Sequence, residues 1–404
     1  GGLGDDSLNG GGGADTFIYN AGDGNDTITD AASYDSTVDK LVLGAGLTPD
    51  KVVISRSGSD VTLGFSDQPG SIRLVGEDGG YGAGLEQVVF GDGTTWSRQN
   101  LESAYIAQQE AAGATSITGF DQNNDVIVGT AGADTLSGLG GNDSLTGGLG
   151  DDSLNGGGGA DTFIYNAGDG NDTITDAASY DSTVDKLVLG AGLTPDKVVI
   201  SRSGSDVTLG FSDQPGSIRL VGEDGGYGAG LEQVVFGDGT TWSRQNLESA
   251  YIAQQEAAGA TSITGFDQNN DVIVGTAGAD SLSGLGGNDT LTGGLGADTL
   301  TGGAGQDVFV YTSTEDSPSG GMDTMTDFSV SQGDRISLAA IDANTTVGGD
   351  QAFTYSGGAD FTGVAGQLIY ASGILSGDVN GDGNADIQIK LANTPTLSAS
   401  SFVL

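Results

Sequence analysis

The residues best placed to do chemistry in this chain are aspartates that recur every nine positions. Between Gly129 and Ile164 the sequence reads GTAGADTLS, GLGGNDSLT, GGLGDDSLN and GGGGADTFI. Each unit has a Gly-rich first half, an Asp at its sixth position and a small–apolar–small end. Carboxylates are the oxygen ligands that hard divalent cations prefer. The spacing predicts a column of cation sites on these aspartates, which are Asp134, Asp143, Asp152 and Asp161.

Two kinds of element must position these aspartates. Glycine permits the positive φ of a tight turn, and the last three residues of each unit alternate as a short strand does. Turns and strands at this period stack into a coil whose successive turns lie on alternate sides. Each Asp then faces the Asp two units further on, one layer up, about 5 Å away. Such a pair of carboxylates repels by roughly 3 kcal/mol, and ordinary domains are stable by only about 5–15 kcal/mol, so we expect the coil to require a cation.

The nonapeptide resembles that of the RTX family of secreted bacterial proteins, in which it forms calcium-binding β-rolls. The resemblance implies calcium ions held between stacked turns by aspartates and backbone carbonyls. Ca²⁺ takes about six to eight oxygens, whereas Mg²⁺ demands a tighter octahedron, so several Ca²⁺ ions are the expected cofactors. The expected aspartate ligands are Asp6, Asp15, Asp26, Asp125, Asp134, Asp143, Asp152, Asp161, Asp172, Asp271, Asp280, Asp289, Asp298, Asp307 and Asp323. The glycines expected at the metal sites, where their turns supply backbone carbonyls, are Gly129, Gly138, Gly147, Gly148, Gly156, Gly157, Gly275, Gly284, Gly293, Gly294, Gly302 and Gly303.

Composition excludes several other functions. The chain has 12 basic and 55 acidic residues, a formal net charge of −43, which disfavours nucleic acid as a partner. No Lys or Arg occurs between Gln99 and Asp185. The absence of Cys and His excludes disulfides, thiolate metal sites and histidine-based catalysis. No apolar run is long enough for a membrane-spanning helix, and no N-terminal secretion signal is visible. The chain begins inside a repeat, so we expect it to be part of a longer protein.

A large internal repeat sets the predicted domain organisation. Residues 1–146 recur as 147–292 with two changes, Thr135 to Ser281 and Ser144 to Thr290. The predicted fold is all-β: tandem right-handed parallel β-rolls alternate with β-rich spacer modules, each with one short helix, and a β-rich cap closes the chain. The predicted domains are a truncated roll at 1–29, a spacer at 30–114, a roll at 115–175, a spacer at 176–260, a roll at 261–311, and a C-terminal cap with a secretion signal at 312–404.

The spacer resembles those that accompany RTX repeats in many large secreted proteins. Turn-rich segments separate its apolar runs, and a stretch without helix breakers follows them. The predicted elements in the first copy are strands at Lys40–Leu43, Lys51–Ser55, Val61–Phe65, Ser71–Val75 and Leu85–Phe90 and a helix at Arg98–Ala112.

The last ninety residues contain GMDTMTDF at Gly321–Phe328 and GDRISL at Gly333–Leu338. They resemble the segment that closes the roll in serralysin-type secreted metalloproteases, although no protease domain accompanies them. Within them, DVNGDGNAD matches the first nine places of an EF-hand loop but has Ile389 at the twelfth place. The alternatives are a second type of calcium site and a plain hairpin turn. The segment Leu391–Leu404 resembles an uncleaved type I secretion signal, with a plain terminal strand as the alternative. The candidate ligands in the loop are Asp378, Asn380, Asp382, Asn384 and Asp386.

These observations predict a non-enzymatic, calcium-dependent repeat region and C-terminal secretion domain of a large bacterial extracellular or cell-surface protein, an adhesin or a matrix-forming polymer. The alternative is the noncatalytic tail of a type I secreted enzyme, such as a protease, lipase or alginate epimerase, or of a toxin. The expected partners are calcium and the type I secretion machinery, and self-association and cell-surface glycans stay open. Aromatic residues that either bind sugars or belong to the spacer core are Trp96, Trp242, Tyr81 and Tyr227.

Overall fold

The computed structural model describes residues 1–404 except 31–36, 78–83, 177–182, 224–229, 268 and 359. The chain divides into two compact units, one extending to Thr241 and the other running from Trp242 to Leu404. In the described parts the structure is mostly short strands, with two α-helices. No helix there has the length and apolar character that crossing a membrane requires.

The elements before residue 116 include the first roll and the first spacer. Every strand and the helix predicted for this spacer is present, with ends that differ by a few residues. The elements are β1 Ser7–Asn9, β2 Thr16–Tyr19, β3 Asn25–Thr29, β4 Lys40–Leu43, β5 Val52–Ser57, β6 Asp60–Phe65, β7 Ser71–Val75, β8 Gln87–Val89, β9 Thr95–Ser97 and α1 Arg98–Ala111.

The next stretch contains the second roll and repeats the spacer elements. Its elements are β10 Ser116–Thr118, β11 Val126–Val128, β12 Thr135–Gly140, β13 Ser144–Thr146, β14 Ser153–Gly158, β15 Thr162–Tyr165, β16 Asn171–Thr175, β17 Lys186–Leu189, β18 Val198–Ser203, β19 Asp206–Phe211, β20 Ser217–Leu220, β21 Gln233–Val235, β22 Thr241–Ser243 and α2 Arg244–Ala257.

The remaining strands form the third roll and the C-terminal region. They are β23 Ser262–Thr264, β24 Val272–Val274, β25 Ser281–Gly286, β26 Thr290–Thr292, β27 Thr299–Ala304, β28 Val308–Val310, β29 Asp323–Met325, β30 Arg335–Ser337, β31 Thr354–Tyr355, β32 Gln367–Ala371, β33 Ile374–Asp378, β34 Ile387–Leu391 and β35 Phe402–Val403.

Each roll consists of two parallel sheets whose strands alternate along the chain. In the second roll, one sheet contains β10, β12, β14 and β16, and the other contains β11, β13, β15 and β17. Leu136 pairs with Leu154 in the first sheet, and Leu145 pairs with Phe163 in the second. Each of these four side chains is at most 1% exposed. The apolar member of each nonapeptide therefore fills the space between the sheets, and the Gly-rich turns lie at the edges.

The roll sheets continue beyond the predicted boundary at residue 175. Strand β16 pairs in parallel with β20, and β17 pairs in parallel with β21. Only then does the direction change, because β18, β19 and β20 form an antiparallel meander. The first copy has the same arrangement in β3, β7, β6 and β5. The predicted domain limits stay predictions, but these hydrogen bonds join each spacer to the roll before it.

The spacer helix α1 begins at a complete capping box. The Ser97 side chain accepts from the Asn100 N–H, and Asn100 Oδ1 accepts from the Ser97 N–H at 3.0 Å. These bonds satisfy donors that a helix N-terminus otherwise leaves free. Leu101 and Ile106 are buried, as their helical spacing predicts. Glu102 is also buried and is paired with Arg98 at 3.1 Å.

The C-terminal region completes both sheets of the third roll. Strand β29 pairs with β27 and with β34, while β30 pairs with β28 and with the terminal strand β35. Strands β32, β33 and β34 form an antiparallel meander. A single buried cluster runs from the third roll into this region and includes Leu291, Phe309, Met325, Ile336 and Leu375.

Candidate metal centre

The sixth-position aspartates of the second roll form a hydrogen-bonded ladder. The backbone N–H of Asp125 donates to Asp143 Oδ1 at 2.7 Å, and the N–H of Asp143 donates to Asp161 Oδ1 at 2.7 Å. On the opposite edge, the N–H of Asp134 donates to Asp152 Oδ1 at 2.8 Å. Each of these bonds spans 18 residues, as the two-unit repeat predicts. One oxygen of each carboxylate is thus held in place by the layer before it.

The third roll repeats the ladder with the same geometry. The backbone N–H of Asp271 donates to Asp289 Oδ1 at 2.8 Å, and that of Asp289 donates to Asp307 Oδ1 at 2.9 Å. On the other edge, the N–H of Asp280 donates to Asp298 Oδ1 and that of Asp298 donates to Asp323 Oδ1, both at 2.8 Å. At the N-terminal end, the N–H of Asp6 donates to Asp26 Oδ1 at 3.0 Å. These predicted aspartates are therefore brought together in columns.

The second oxygen of most of these carboxylates has no donor. A buried polar atom without a partner is costly, and most such atoms in native proteins are hydrogen-bonded or bind an ion or water. A row of them at equivalent positions indicates that something other than a protein donor completes them. The buried Oδ2 atoms without a hydrogen-bond partner belong to Asp6, Asp15, Asp143, Asp152, Asp161, Asp289, Asp298 and Asp307. The Asp323 carboxylate interacts with the Tyr311 hydroxyl.

Glycine at the first place of each unit keeps this oxygen accessible. A Cβ on Gly138 would clash with Asp143 Oδ2 and lie 2.6 Å from the carbonyl oxygen of Gly156 in the next layer. A Cβ on Gly129 would clash with the carbonyl oxygen of Gly147 and lie 2.7 Å from Asp134 Oδ2. Here glycine is required for space rather than for a positive φ. The space is lined by one carboxylate oxygen and one carbonyl oxygen from adjacent layers, which is the donor chemistry that Ca²⁺ takes.

The other predicted glycines fall into two groups. A Cβ on Gly147, Gly156, Gly284, Gly293 or Gly302 would clash with the Oδ2 of the Asp in the same unit, and one on Gly275 would lie 2.7 Å from Asp280 Oδ2. The second group has positive φ and faces a carbonyl oxygen of the preceding layer. Its members are Gly148, Gly157, Gly294 and Gly303.

The first turn of each complete roll differs from the rest. Thr130 donates to Asp134 Oδ2 from its backbone N–H at 2.6 Å and from its hydroxyl at 3.0 Å. Thr276 makes the same two bonds to Asp280. The backbone N–H groups of Phe120 and Phe266 donate in a similar way to Asp125 and Asp271. These end positions already have protein donors on the oxygen that the interior positions leave without one.

Burial changes the acidity of the ladder. Desolvation, with a smaller contribution from the carboxylates of Asp161 and Asp125, raises the pKa of Asp143 to about 7, although the Asp125 N–H opposes this. Burial likewise raises the pKa of Asp172, Asp289 and Asp323 to about 7. These carboxylates resist ionisation when only protein surrounds them. A divalent cation removes that cost by supplying the opposite charge.

The ladder extends to acidic residues that the sequence analysis missed. The backbone N–H of Asp161 donates to Asp185 Oδ1 at 2.7 Å, and that of Asp185 donates to Glu232 Oε2 at 2.8 Å. In the third roll, the backbone N–H of Asp307 donates to Asp334 Oδ1 at 3.1 Å. None of these acceptors lies in a nonapeptide, so the period of nine could not reveal them. The available signal was an acidic residue just before a short apolar strand, as in Asp185 before Lys186-Leu187-Val188.

The EF-hand-like loop has a different construction. It joins the antiparallel strands β33 and β34, as the hairpin alternative predicts. Asp378 is buried, and it accepts from the N–H groups of Asn380, Gly381 and Gly383 at 2.6–3.1 Å. Asp386 accepts from Val379 N–H and from the Asn380 side chain. Further along, the Asn380 side chain accepts from the Asp382 N–H, and the Asp382 carboxylate accepts from the Asn384 N–H, both at 2.8 Å. Whether the loop binds calcium stays a prediction.

The aromatic residues predicted either to bind sugars or to belong to the spacer core are described in part. Trp96 packs edge-on against Phe90, with ring centroids 4.7 Å apart. Trp242 is half-buried. Tyr81 and Tyr227 lie outside the described residues.

The repeats, the parallel rolls and the oxygen-lined turns define a calcium-binding β-roll protein. A family model for the RTX calcium-binding nonapeptide repeat matches residues 1–28, 121–154, 128–163, 138–174, 267–300 and 274–309. The chain thus carries RTX repeats, as its sequence predicts, and RTX repeats bind calcium ions.

Two further comparisons concern curated proteins and solved structures. No curated protein matches the chain. Among solved structures, the chain is similar to the extracellular lipase LipA from Serratia marcescens, at 18% identity over 72% of this chain and a TM-score of 0.19. The match spans only 42% of the lipase.

Proposed function

We propose that this chain is a calcium-triggered folding region, with a C-terminal secretion domain, of a large extracellular bacterial RTX protein that serves as an adhesin or a structural surface polymer. The observation that carries the proposal is the row of buried Oδ2 atoms without donors in the rolls. Calcium completes each of them, and binding energy becomes folding energy because the ligands converge only in the folded roll.

The energetics favour a switch between compartments. Extracellular calcium modules bind with affinities of about 0.1–1 mM. Calcium at ten times its dissociation constant stabilises the folded state by about 1.4 kcal/mol per site. Several sites together are comparable to the whole stability of a domain, about 5–15 kcal/mol. At the far lower calcium of cytosol this contribution vanishes, so the acidic rolls stay unfolded and can thread through a secretion channel.

The tandem modules favour a structural or adhesive role over an enzyme tail. Two copies of 146 residues that differ at two positions extend the chain by repetition. The raised-pKa aspartates of the ladders face one another inside the rolls, so we assign the chain no catalytic step. The tail of a type I secreted enzyme or a toxin is the second candidate, and the presence or absence of a catalytic domain beside these modules would decide between them.

The C-terminal end fits a role as secretion signal that later becomes part of the fold. Ser401 and Phe402 are buried, and β35 pairs in parallel with β30 of the third roll. In the unfolded chain this terminus is free for a secretion machinery to bind. After export, its pairing with β30 places it where folding of the last roll can begin.

Circular dichroism tests the folding switch. The chain in chelator should show mostly coil, and addition of 5–10 mM calcium, chosen to exceed the roughly 0.1–1 mM affinities of such modules, should convert it to strand. Magnesium at the same concentration is the control and should convert little of the coil to strand. Strand content that is the same with chelator and with calcium would overturn the proposal.

Deletion of Leu391–Leu404 tests the secretion role separately. Export should be lost, while the second roll, which lies in the other compact unit, should still fold with calcium. Normal export of the truncated chain would show that the signal lies elsewhere, whatever the outcome of the calcium titration.

A further inference from the structure

Three buried carboxylates meet at the end of the second roll. Asp161 is the last nonapeptide aspartate, Asp176 follows strand β16, and Asp185 precedes strand β17. One carboxylate oxygen from each lies within 4.8 Å of the others. Their exposures are 0%, 8% and 2%, respectively. Neither Asp176 nor Asp185 falls within the residues that the nonapeptide model matches.

The carboxylate oxygens at this cluster have few protein donors. Asp161 Oδ2 is buried without a hydrogen-bond partner, and the contacts of the buried Asp176 carboxylate are the Gly157 backbone N–H and the Asp185 carboxylate. A Cβ on Gly156 would clash with Asp161 Oδ2 and lie 2.7 Å from Asp176 Oδ1. The cluster therefore surrounds the same kind of space that the preceding layers keep open with a glycine.

Asp176 takes the place of a backbone carbonyl. In the layer below, the oxygen 2.6 Å from the Cβ position of Gly138 is the carbonyl of Gly156. At Gly156 itself the corresponding oxygen is Asp176 Oδ1, at 2.7 Å. In the first copy, a Cβ on Gly10 would lie 2.5 Å from Asp30 Oδ1 and 2.7 Å from Asp15 Oδ2, and the Asp15 backbone N–H donates to Asp39 Oδ1 at 2.6 Å. A carboxylate from outside the repeats completes the layer where the repeats have ended.

We propose that Asp161, Asp176 and Asp185 form a terminal calcium site that joins the roll to the segment after it, and that Asp15, Asp30 and Asp39 form its equivalent in the first copy. Two ligands of one Ca²⁺ at about 2.3–2.6 Å can be no more than about 5 Å apart, and the three carboxylates satisfy this limit. Three carboxylates also give this site more negative charge than the interior layers have. The site rests on the proposed calcium function of the rolls and extends it to residues outside the nonapeptides.

Counting bound calcium by equilibrium dialysis tests the proposal. The full chain is compared with Asp176→Asn, Asp30→Asn and the double variant at saturating calcium. Each single variant should bind one Ca²⁺ fewer than the unaltered chain, and the double variant two fewer. Asp213→Asn is the matched control, since it removes the same charge from an exposed carboxylate that pairs with Lys197 at 2.7 Å, and it should bind the full number.

Two results would overturn the inference. One is that the Asp176→Asn and Asp213→Asn chains bind the same number of Ca²⁺ ions. The other is an Asp176→Asn chain that is more stable in chelator than the unaltered chain and binds the same number of Ca²⁺ ions. That result would mean that Asp176 is a neutral acid sharing a proton with Asp185. If Asp176→Asn fails to fold in calcium, Asp30→Asn gives the same readout in the other module. An unaltered chain that binds no calcium would instead contradict the function proposed for the rolls.

Discussion

Two regions of this chain are rich in Asp and Gly, and they use their carboxylates in opposite ways. In the rolls, Asp143, Asp161 and Asp289 each accept one backbone N–H on Oδ1 and leave Oδ2 buried without a partner. In the C-terminal loop, both oxygens of Asp378 accept backbone N–H groups of the same loop. The first arrangement leaves a buried oxygen that we expect a cation to complete, whereas in the second both oxygens already have protein donors.

From this difference we expect that composition alone does not define a calcium site. Both segments offer carboxylates at regular short spacing next to glycines. What separates them is the source of the nearest donors. In the rolls the strands stack in parallel layers, so the donor for each Oδ1 comes from another layer and the turn itself supplies carbonyl oxygens. In the loop, a local turn folds its own N–H groups onto Asp378.

Neutralising two adjacent roll aspartates should have the largest effect. Asp143→Asn with Asp161→Asn removes charge from consecutive layers on one edge of the second roll. We expect loss of at least two bound calcium ions and failure of that roll to fold at calcium concentrations that fold the unaltered chain. Calcium dialysis together with far-ultraviolet circular dichroism measures both effects. An unchanged calcium midpoint would contradict the assignment of these residues as ligands.

Filling the space beside a roll carboxylate should have the next largest effect. In Gly138→Ala, the new Cβ meets Asp143 Oδ2 and the Gly156 carbonyl, so we expect a calcium midpoint at least tenfold higher, which corresponds to about 1.4 kcal/mol. Gly158→Ala is the control, because a Cβ there has no neighbour within 4 Å. Similar midpoints for the two variants would show that the space beside Gly138 holds no ion.

Acidification should partly replace calcium in the rolls. The pKa of Asp143 is about 7 in the folded roll, against 3.8 for an unperturbed Asp. A raised folded-state pKa contributes stability that is complete below the unfolded value and is lost as pH rises through the folded value. In chelator, strand content should therefore increase as pH falls from about 8 to about 5. The reverse trend, with more strand at pH 8 than at pH 5 in chelator, would contradict this.

The smallest effect should come from the loop. Asp378→Asn keeps one acceptor oxygen and loses the charge, so we expect about 1–3 kcal/mol of local destabilisation and an unchanged calcium count. Thermal unfolding and calcium dialysis measure the two quantities on the same sample. Loss of one calcium ion in this variant would show that the loop is a second type of site.

The sequence predicts most of the fold because the nonapeptide determines turn, strand and burial together. The positions of Leu136, Leu145 and Phe163, and the facing of aspartates 18 residues apart, follow from the period alone. The continuation of the sheets into β17, β20 and β21 does not, because the spacing between Asp161 and Asp185 is 24 residues and breaks the repeat. The hydrogen-bond donors to the Asp378 carboxylate were also not predictable, since they depend on the backbone conformation of one loop rather than on the spacing of its residues.

The most direct test of the central claim is anomalous diffraction from crystals grown in calcium. The account predicts a peak between each interior pair of layers, for example within ligand distance of both Asp143 Oδ2 and the Gly156 carbonyl oxygen, and none at Asp378. Roll positions without anomalous density, with their carboxylates bonded to protein donors or protonated in pairs, would contradict it.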